Sequence, residues 1–249
     1  MNSFISWIGG KNYLKKVIAE HIPDGLDRYC EVFGGAAWVL FHRDRYAVME
    51  IYNDYNSDLT NLFRCVKYHS PELQRELQWV LNSREVFEDY RVQAQMRGMT
   101  DIQRAARFFL LLRLSYGSNV RSYGCVKKDV LNMYEYLGRV QNRLSSVIIE
   151  NKDFENCIKV YDRTGTFFYL DPPYYGTEHY YTGFPTEDHE RLYKCLQGIQ
   201  GRFLLSYNDC EYIRKLYHDY KIEEPSRIHN LRARYESGCE YKELLISNY

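Results

Sequence analysis

The sequence predicts an open α/β fold: a mostly parallel sheet interrupted by a largely helical insertion. Three observations predict it. Apolar and aromatic runs alternate with amphipathic helical stretches over the first sixty-odd residues. Strand signals then vanish from about 65 to 145 and return as short apolar runs beyond. Lastly, polar and special residues gather at the ends of those runs, where open sheets bind ligands.

Residues 11–21 put Leu14, Val17, Ile18 and His21 on one helical face. "RYCEVFGG" reads as a strand over 28–33, stopped by glycines, and 36–43 reads as a helix. "YAVMEIYND" is a second strand ending at Asn53-Asp54, and "NSDLTNLFRCVKYHS" a helix beginning near Ser57. Residues 71–113 read as helical without a strand. "LSYGSNVRSYGCVKKD" breaks regularity with two glycines and mixes aromatic with basic residues. Helix resumes at 133–144, with Met133, Tyr136, Leu137, Val140 and Leu144 on one face. Strands follow at 146–150, 166–170 and 202–206, with a helix at 186–197 and a late strand in "KELLISNY".

A chain of 249 residues, 45% hydrophobic, supports one large domain or a core with an inserted smaller one. Its 25 tyrosines suit wet, aromatic-lined surfaces as well as ordinary packing. The net charge is +0, yet 91–143 holds ten Lys or Arg against three Asp or Glu, an excess of +7. Such a block fits either a polyanion-binding face or a solvated helix surface. Seven scattered cysteines without CxxC spacing favour reduced thiols in a cytoplasmic protein over disulfides or zinc. No run reaches transmembrane length, and the N-terminus lacks a signal-peptide apolar region.

Three strand ends converge on one edge: Phe33-Gly34-Gly35, Asn53-Asp54 and Asp171-Pro172-Pro173-Tyr174. The glycines fit a structural turn or a close backbone approach to a ligand. Asp54 fits a ribose-binding acid or a helix-capping region. The tetrapeptide is more specific. Its prolines remove two N–H donors, leaving carbonyls, a carboxylate and an aromatic face. That set accepts hydrogen bonds from an amino group and stacks a flat ring, as an exocyclic base amine requires.

"WIGGK" (7–11), "EVFGG" (31–35), "NDYNSDLTNLF" (53–63), "DF" (153–154), "DPPY" (171–174) and "FLLSYND" (203–209) together resemble the Dam-like adenine-specific DNA methyltransferases. The likeness spans nearly the whole chain. It implies a Rossmann-like class I methyltransferase sheet over 1–64 and 145–249, with a DNA-recognition insertion over 65–144. It also implies S-adenosyl-L-methionine as cofactor, no metal, and double-stranded DNA as partner. By this resemblance, Trp7, Lys11, Phe33, Gly34, Gly35, Asp54, Asp153, Phe154 and Asp171 contact the cofactor, with Lys11 toward its carboxylate. Asp171, Pro172 and Tyr174 match the catalytic set. Val32 and Ala37 depart from the family pattern, which often has proline and glycine there.

The chemistry implied is methyl transfer to adenine N6. Hydrogen bonds from the amine to Asp171 and the Pro172 carbonyl favour a pyramidal nitrogen. The base must leave the duplex, and stacking on the Tyr174 ring offsets part of the cost. Arg113, Asn119, Arg121, Lys127 and Lys128 are the candidate DNA contacts, with Arg97, Arg104 and Arg107 as further phosphate contacts. RNA or protein-amide methyl transfer and an inactive DNA-binding relative are the rival readings. Bacterial or phage origin is expected.

Overall fold

The computed structural model describes residues 1–125, 133–177, 183–225 and 242–249. Seven strands form one sheet in the order β3-β2-β1-β4-β5-β7-β6. They are β1 (Leu26–Glu31), β2 (Ala47–Asn53), β3 (Val147–Glu150), β4 (Thr166–Leu170), β5 (Arg202–Asn208), β6 (Lys221–Glu223) and β7 (Glu243–Ser247). The first five run parallel, while β7 is antiparallel to both β5 and β6. The chain leaves β1 toward β2 and β3, then returns to lay β4 on the other side of β1. That reversal opens a crevice beyond the carboxyl ends of β1 and β4.

Strand alternation divides the core into two layers. Tyr29, Tyr52, Phe167, Tyr169 and Leu204 face one layer. It is shared with α1 (Lys15–His21), α2 (Ser57–Tyr68), α3 (Ser70–Gln78), α5 (Asp101–Leu114) and α6 (Met133–Leu144). Cys30, Ile51, Phe168, Leu170 and Phe203 face the other layer. There α7 (Phe154–Tyr161), α8 (Glu187–Gln197) and α9 (Glu211–Leu216) pack. Leu73, Phe109, Leu137 and Val140 belong to the first layer, so helices between β2 and β3 share a core with the sheet. Only α4 (Arg84–Gln93) and the end of α5 build a separate cluster, around Phe87, Leu111 and Leu114.

Local sequence explains the elements. Asn56 caps α2 by accepting from the Asp58 and Leu59 amides, and Thr100 opens α5 in a reciprocal box with Gln103. The expected helix at 36–43 is instead a chain of turns. Ala37 adopts φ 55°, which ends any helix, and bonds from Ala37 to Gly34, Phe41 to Ala37 and His42 to Val39 follow turn spacings. Val39, Leu40 and Phe41 are all buried, which one face of a helix cannot achieve. The short elements α7, α9 and β6 were not expected from the sequence.

Candidate active site

The glycine turn after β1 is held by its neighbours. A Cβ on Gly34 would fall 2.2 Å from the Tyr52 ring, so only glycine fits. Gly35 has φ 50° and donates its N–H to Asp54 Oδ2 at 2.8 Å, while Tyr52 donates to the Gly35 carbonyl at 2.8 Å. Asp54 Oδ1 accepts from the Asn56 amide at 2.8 Å. Burial pushes the Asp54 carboxyl up to about 6, against those two backbone bonds. Each oxygen keeps a second lone pair for a ligand hydroxyl. Trp7 lies against Gly35 and tilts toward Phe108, with ring centroids 6.1 Å apart. Asn53, buried at the end of β2, donates to the Val32 and Lys152 carbonyls, and its own side-chain oxygen accepts from the Lys152 amide. It ties the ends of β1, β2 and β3 together.

Across the crevice, four side chains form one charged knot. Lys11 Nζ lies 2.7 Å from Asp171 Oδ1 and 3.1 Å from Glu243 Oε1, and donates to Tyr174 OH at 2.8 Å. The Tyr174 hydroxyl in turn donates to Glu243 Oε1. Lys11 is only 8% exposed, Glu243 9% and Asp171 17%. Burial opposes the Lys11 charge, but Asp171 and Glu243 beside it outweigh this and raise its pKa. Burial pushes Asp171 up to about 6, with Lys11 pulling down and Glu243 pushing up. The two directions agree: one cation serves two carboxylates, so Lys11 gains from both and each acid gets only a share. Burial, Glu243 and Asp171 also push the Tyr174 phenol well up. Among the described residues, Asp171 Oδ2 makes no hydrogen bond or ion pair. The carboxylates that Lys11 meets here are the protein's own.

Asp153 and Phe154 sit where β3 leads into α7. Asp153 caps α7 through the Glu155 amide and accepts from both terminal nitrogens of Arg191, at 3.0 and 2.8 Å. Partial burial opposes the charge, but Arg191 and the cap hold this carboxyl below its usual value. The Arg191 guanidinium covers the Phe154 ring at 4.0 Å from its centroid. Phe154 also packs with Phe33 and Phe184, at 5.6 and 5.8 Å between centroids. The sequence singled out the acid and the ring; the fold engages both with Arg191, which the sequence reading did not name.

Two further residues were missed. Asn208 ends β5 and clamps the backbone after the tetrapeptide, accepting from the Tyr175 amide and donating to its carbonyl, both at 3.1 Å. Glu243 opens β7 directly opposite Asn208 in the β5–β7 register. Asn208 stood inside the "FLLSYND" motif and was findable. Glu243 carried no local signal beyond an acid heading an apolar run.

The basic block divides into paired and open charges. Arg107 pairs with Glu76 at 3.1 Å and Arg143 with Glu50 at 2.7 Å, and Arg104 lies 3.6 Å from Asp58. These acids lie outside 91–143, so they were absent from the count that gave the excess. Arg113 is half-buried on α5, and its pKa is lowered by burial. Asn119 spends its side-chain oxygen on the Arg121 and Ser122 amides, shaping the turn of a hairpin closed by the Ser115–Tyr123 bridge. Arg121 is exposed at its tip. Lys127 and Lys128 lie outside the described residues. Among the described residues, no His, Cys, Asp or Glu cluster could hold a metal, and no helix is long and apolar enough to cross a membrane.

Comparison with known proteins agrees with this geometry. The Type II methyltransferase M1.LlaDCHI of Lactococcus lactis is 27% identical over 100% of this chain and 96% of its own length. The Type II methyltransferase M.CviBI of a Paramecium bursaria Chlorella virus is 24% identical over the full length of both. The DNA adenine methylase of Escherichia coli is 26% identical over 88% of this chain and 85% of its own. The family model for D12 class N6 adenine-specific DNA methyltransferases matches residues 7–231, and the chain belongs to that family.

Proposed function

We propose that this enzyme uses S-adenosyl-L-methionine to methylate N6 of an adenine flipped out of double-stranded DNA. The observation that carries the reading is the largely buried Asp171, one oxygen held by Lys11, whose ammonium also lies over the Tyr174 ring, and the other unpartnered among the described residues. When bound, S-adenosyl-L-methionine supplies an electrophilic methyl group on a sulfonium. The crevice suits it. Asp54 retains lone pairs for ribose hydroxyls, the Gly34-Gly35 turn permits close approach, and the knot's two acids against one Lys leave a negative charge for a cation.

The chain's own residues do the rest. Asp171 Oδ2 and the Pro172 carbonyl accept hydrogen bonds from the two amine hydrogens, one of which is released to solvent as a proton once the nitrogen is methylated. They withdraw the nitrogen lone pair from the ring and aim it at the donor side. The Tyr174 ring stacks on the base, an interaction of about 1–3 kcal/mol that offsets part of the unstacking cost. Trp7, Phe33, Asp153 and Phe154 form the cofactor side of the crevice in this reading, with Lys11 acting on the cofactor through Asp171. Residues 65–144 serve as the DNA-recognition insertion, with Arg113 and Arg121 on phosphate and Asn119 shaping the hairpin. Lys127 and Lys128, outside the described residues, are further candidate phosphate contacts. A cytoplasmic, DNA-associated enzyme fits this chemistry.

Labelled S-adenosyl-L-methionine, offered duplex DNA, RNA and protein in parallel, tests it. Digestion should return the label as N6-methyl-2′-deoxyadenosine from DNA. Label in cytosine, RNA or protein would refute the assignment.

A further inference from the structure

The acid at the head of β7 enters the reading above only as a charge, yet it is as buried as the Lys it touches. Glu243 is 9% exposed, and its Oε1 meets both Lys11 Nζ, at 3.1 Å, and the Tyr174 hydroxyl. A buried carboxylate is retained at a cost unless it is paired, and here its only described partners are two members of the reaction site. We propose that Glu243 is a positioning residue for methyl transfer: it fixes the Tyr174 ring through the hydroxyl and shares Lys11, leaving Asp171 Oδ2 free for the substrate amine. The proposal rests on the adenine reading.

Geometry gives the reason. A stacking ring must lie parallel to the base, and a phenyl ring alone rotates about its own axis and tilts with its backbone. The hydroxyl of Tyr174 is anchored twice, by Lys11 and by Glu243. Its backbone is anchored one residue on by Asn208, which faces Glu243 across the strand pair. The β5–β7 pair therefore grips the tetrapeptide at the main chain and at the phenol tip. Among the described residues, the charged or titratable groups around Asp171 are Lys11, Glu243, Tyr174 and Tyr169. Glu243 is the one that raises the acid's pKa by charge, so its neutralisation must lower it.

Glu243→Gln keeps the shape and one acceptor. The expected result is a single-turnover rate down by about a hundredfold, as a misplacement near 1 Å can cause. Calorimetric affinity for DNA should stay within about threefold, and the rate loss should persist at saturating S-adenosyl-L-methionine, so that any cofactor affinity lost with the surplus charge does not account for it. The acid limb of the pH–rate profile should move to lower pH. Glu243→Asp keeps the charge but falls short of the hydroxyl, so its rate should drop while its acid limb stays near the wild type's. In a Tyr174→Phe background, Glu243→Gln should cost much less than in the wild type, because the hydroxyl it acts through is gone. A wild-type rate in Glu243→Gln overturns the inference. So does a loss explained by weaker cofactor binding or a lower Tm, with an unmoved acid limb and additive costs. Absence of adenine methylation by the wild type run alongside refutes the adenine reading itself, and is thereby distinguishable.

Discussion

Asp171→Asn separates chemistry from folding, and Lys11 decides how. The wild-type carboxylate gives Oδ1 to Lys11 at 2.7 Å and leaves Oδ2 open. An asparagine must turn its carbonyl to the ammonium, because Lys has no acceptor. Its NH2 then lands where Oδ2 was and offers a donor to the substrate amine. One preorganised electrostatic partner is worth about 2.7–4 kcal/mol, or two to three orders of magnitude in rate. The mismatched donor adds to this, so a loss of about two to four orders is expected in single-turnover methyl transfer. Stability should move the other way. Asp171 rises from 3.8 to about 6 on folding, so its ionised form costs about 3 kcal/mol above pH 6. That cost fades as pH falls from 6 toward 4, because protons then bind the folded state more readily than the unfolded one. The neutral Asn variant should therefore unfold at or above the wild-type Tm at pH 7, with the difference vanishing near pH 4. Near wild-type single-turnover rates, or a large loss of Tm at pH 7, would refute the reasoning.

Wild-type methyl transfer should decline as pH falls through about 6, where Asp171 gains a proton and loses an acceptor; a profile flat to pH 5 counts against Asp171 as the amine's partner. Asp54→Ala should weaken S-adenosyl-L-methionine binding by about 1.5–3 kcal/mol in calorimetry, the range for bonds to a charged group, while leaving cofactor-free DNA affinity nearly unchanged. Arg121→Ala should lower the salt slope of DNA binding by about one, whereas Arg107→Ala, already paired with Glu76, should leave the slope unaltered. Tyr174→Phe should cost more than loss of a bare hydroxyl suggests, because Lys11 and Glu243 both lose a partner; Tyr174→Ala should cost more again, and a fluorescent base analogue would report the lost capture of the flipped base.

Strand ends, caps and the tetrapeptide were legible because their signals are local. Asn56 caps a helix two residues after Asp54, and an acid-proline-proline-aromatic run follows an apolar strand whatever the rest of the chain does. What escaped depends on long-range partners. Ala37 reads as a helix former, yet its left-handed backbone and the burial of Val39, Leu40 and Phe41 override propensity. Asp153 reads as open until Arg191 arrives from α8. The basic block reads as wholly exposed until Glu76, Asp58 and Glu50 reach it from other elements. A window of sequence counts charges, whereas the fold pairs them.

The same limit hides the neighbours of Lys11, whose assignment to a cofactor carboxylate came from the family resemblance. Its sequence context shows a Lys after two glycines and nothing of the acids awaiting it. In the fold, one ammonium is set between Asp171 and Glu243, and a site built only for stability would balance them or replace them with apolar groups. An unbalanced acid makes sense where a cation is due to arrive and depart. A sulfonium donor would neutralise the surplus and lower the Asp171 pKa, readying the acceptor as the donor binds. Its product, a neutral thioether, would restore the surplus and be held less firmly. In the proposed reaction, the charge left over in the folded protein would couple donor binding, activation of Asp171 and product release through a single buried lysine.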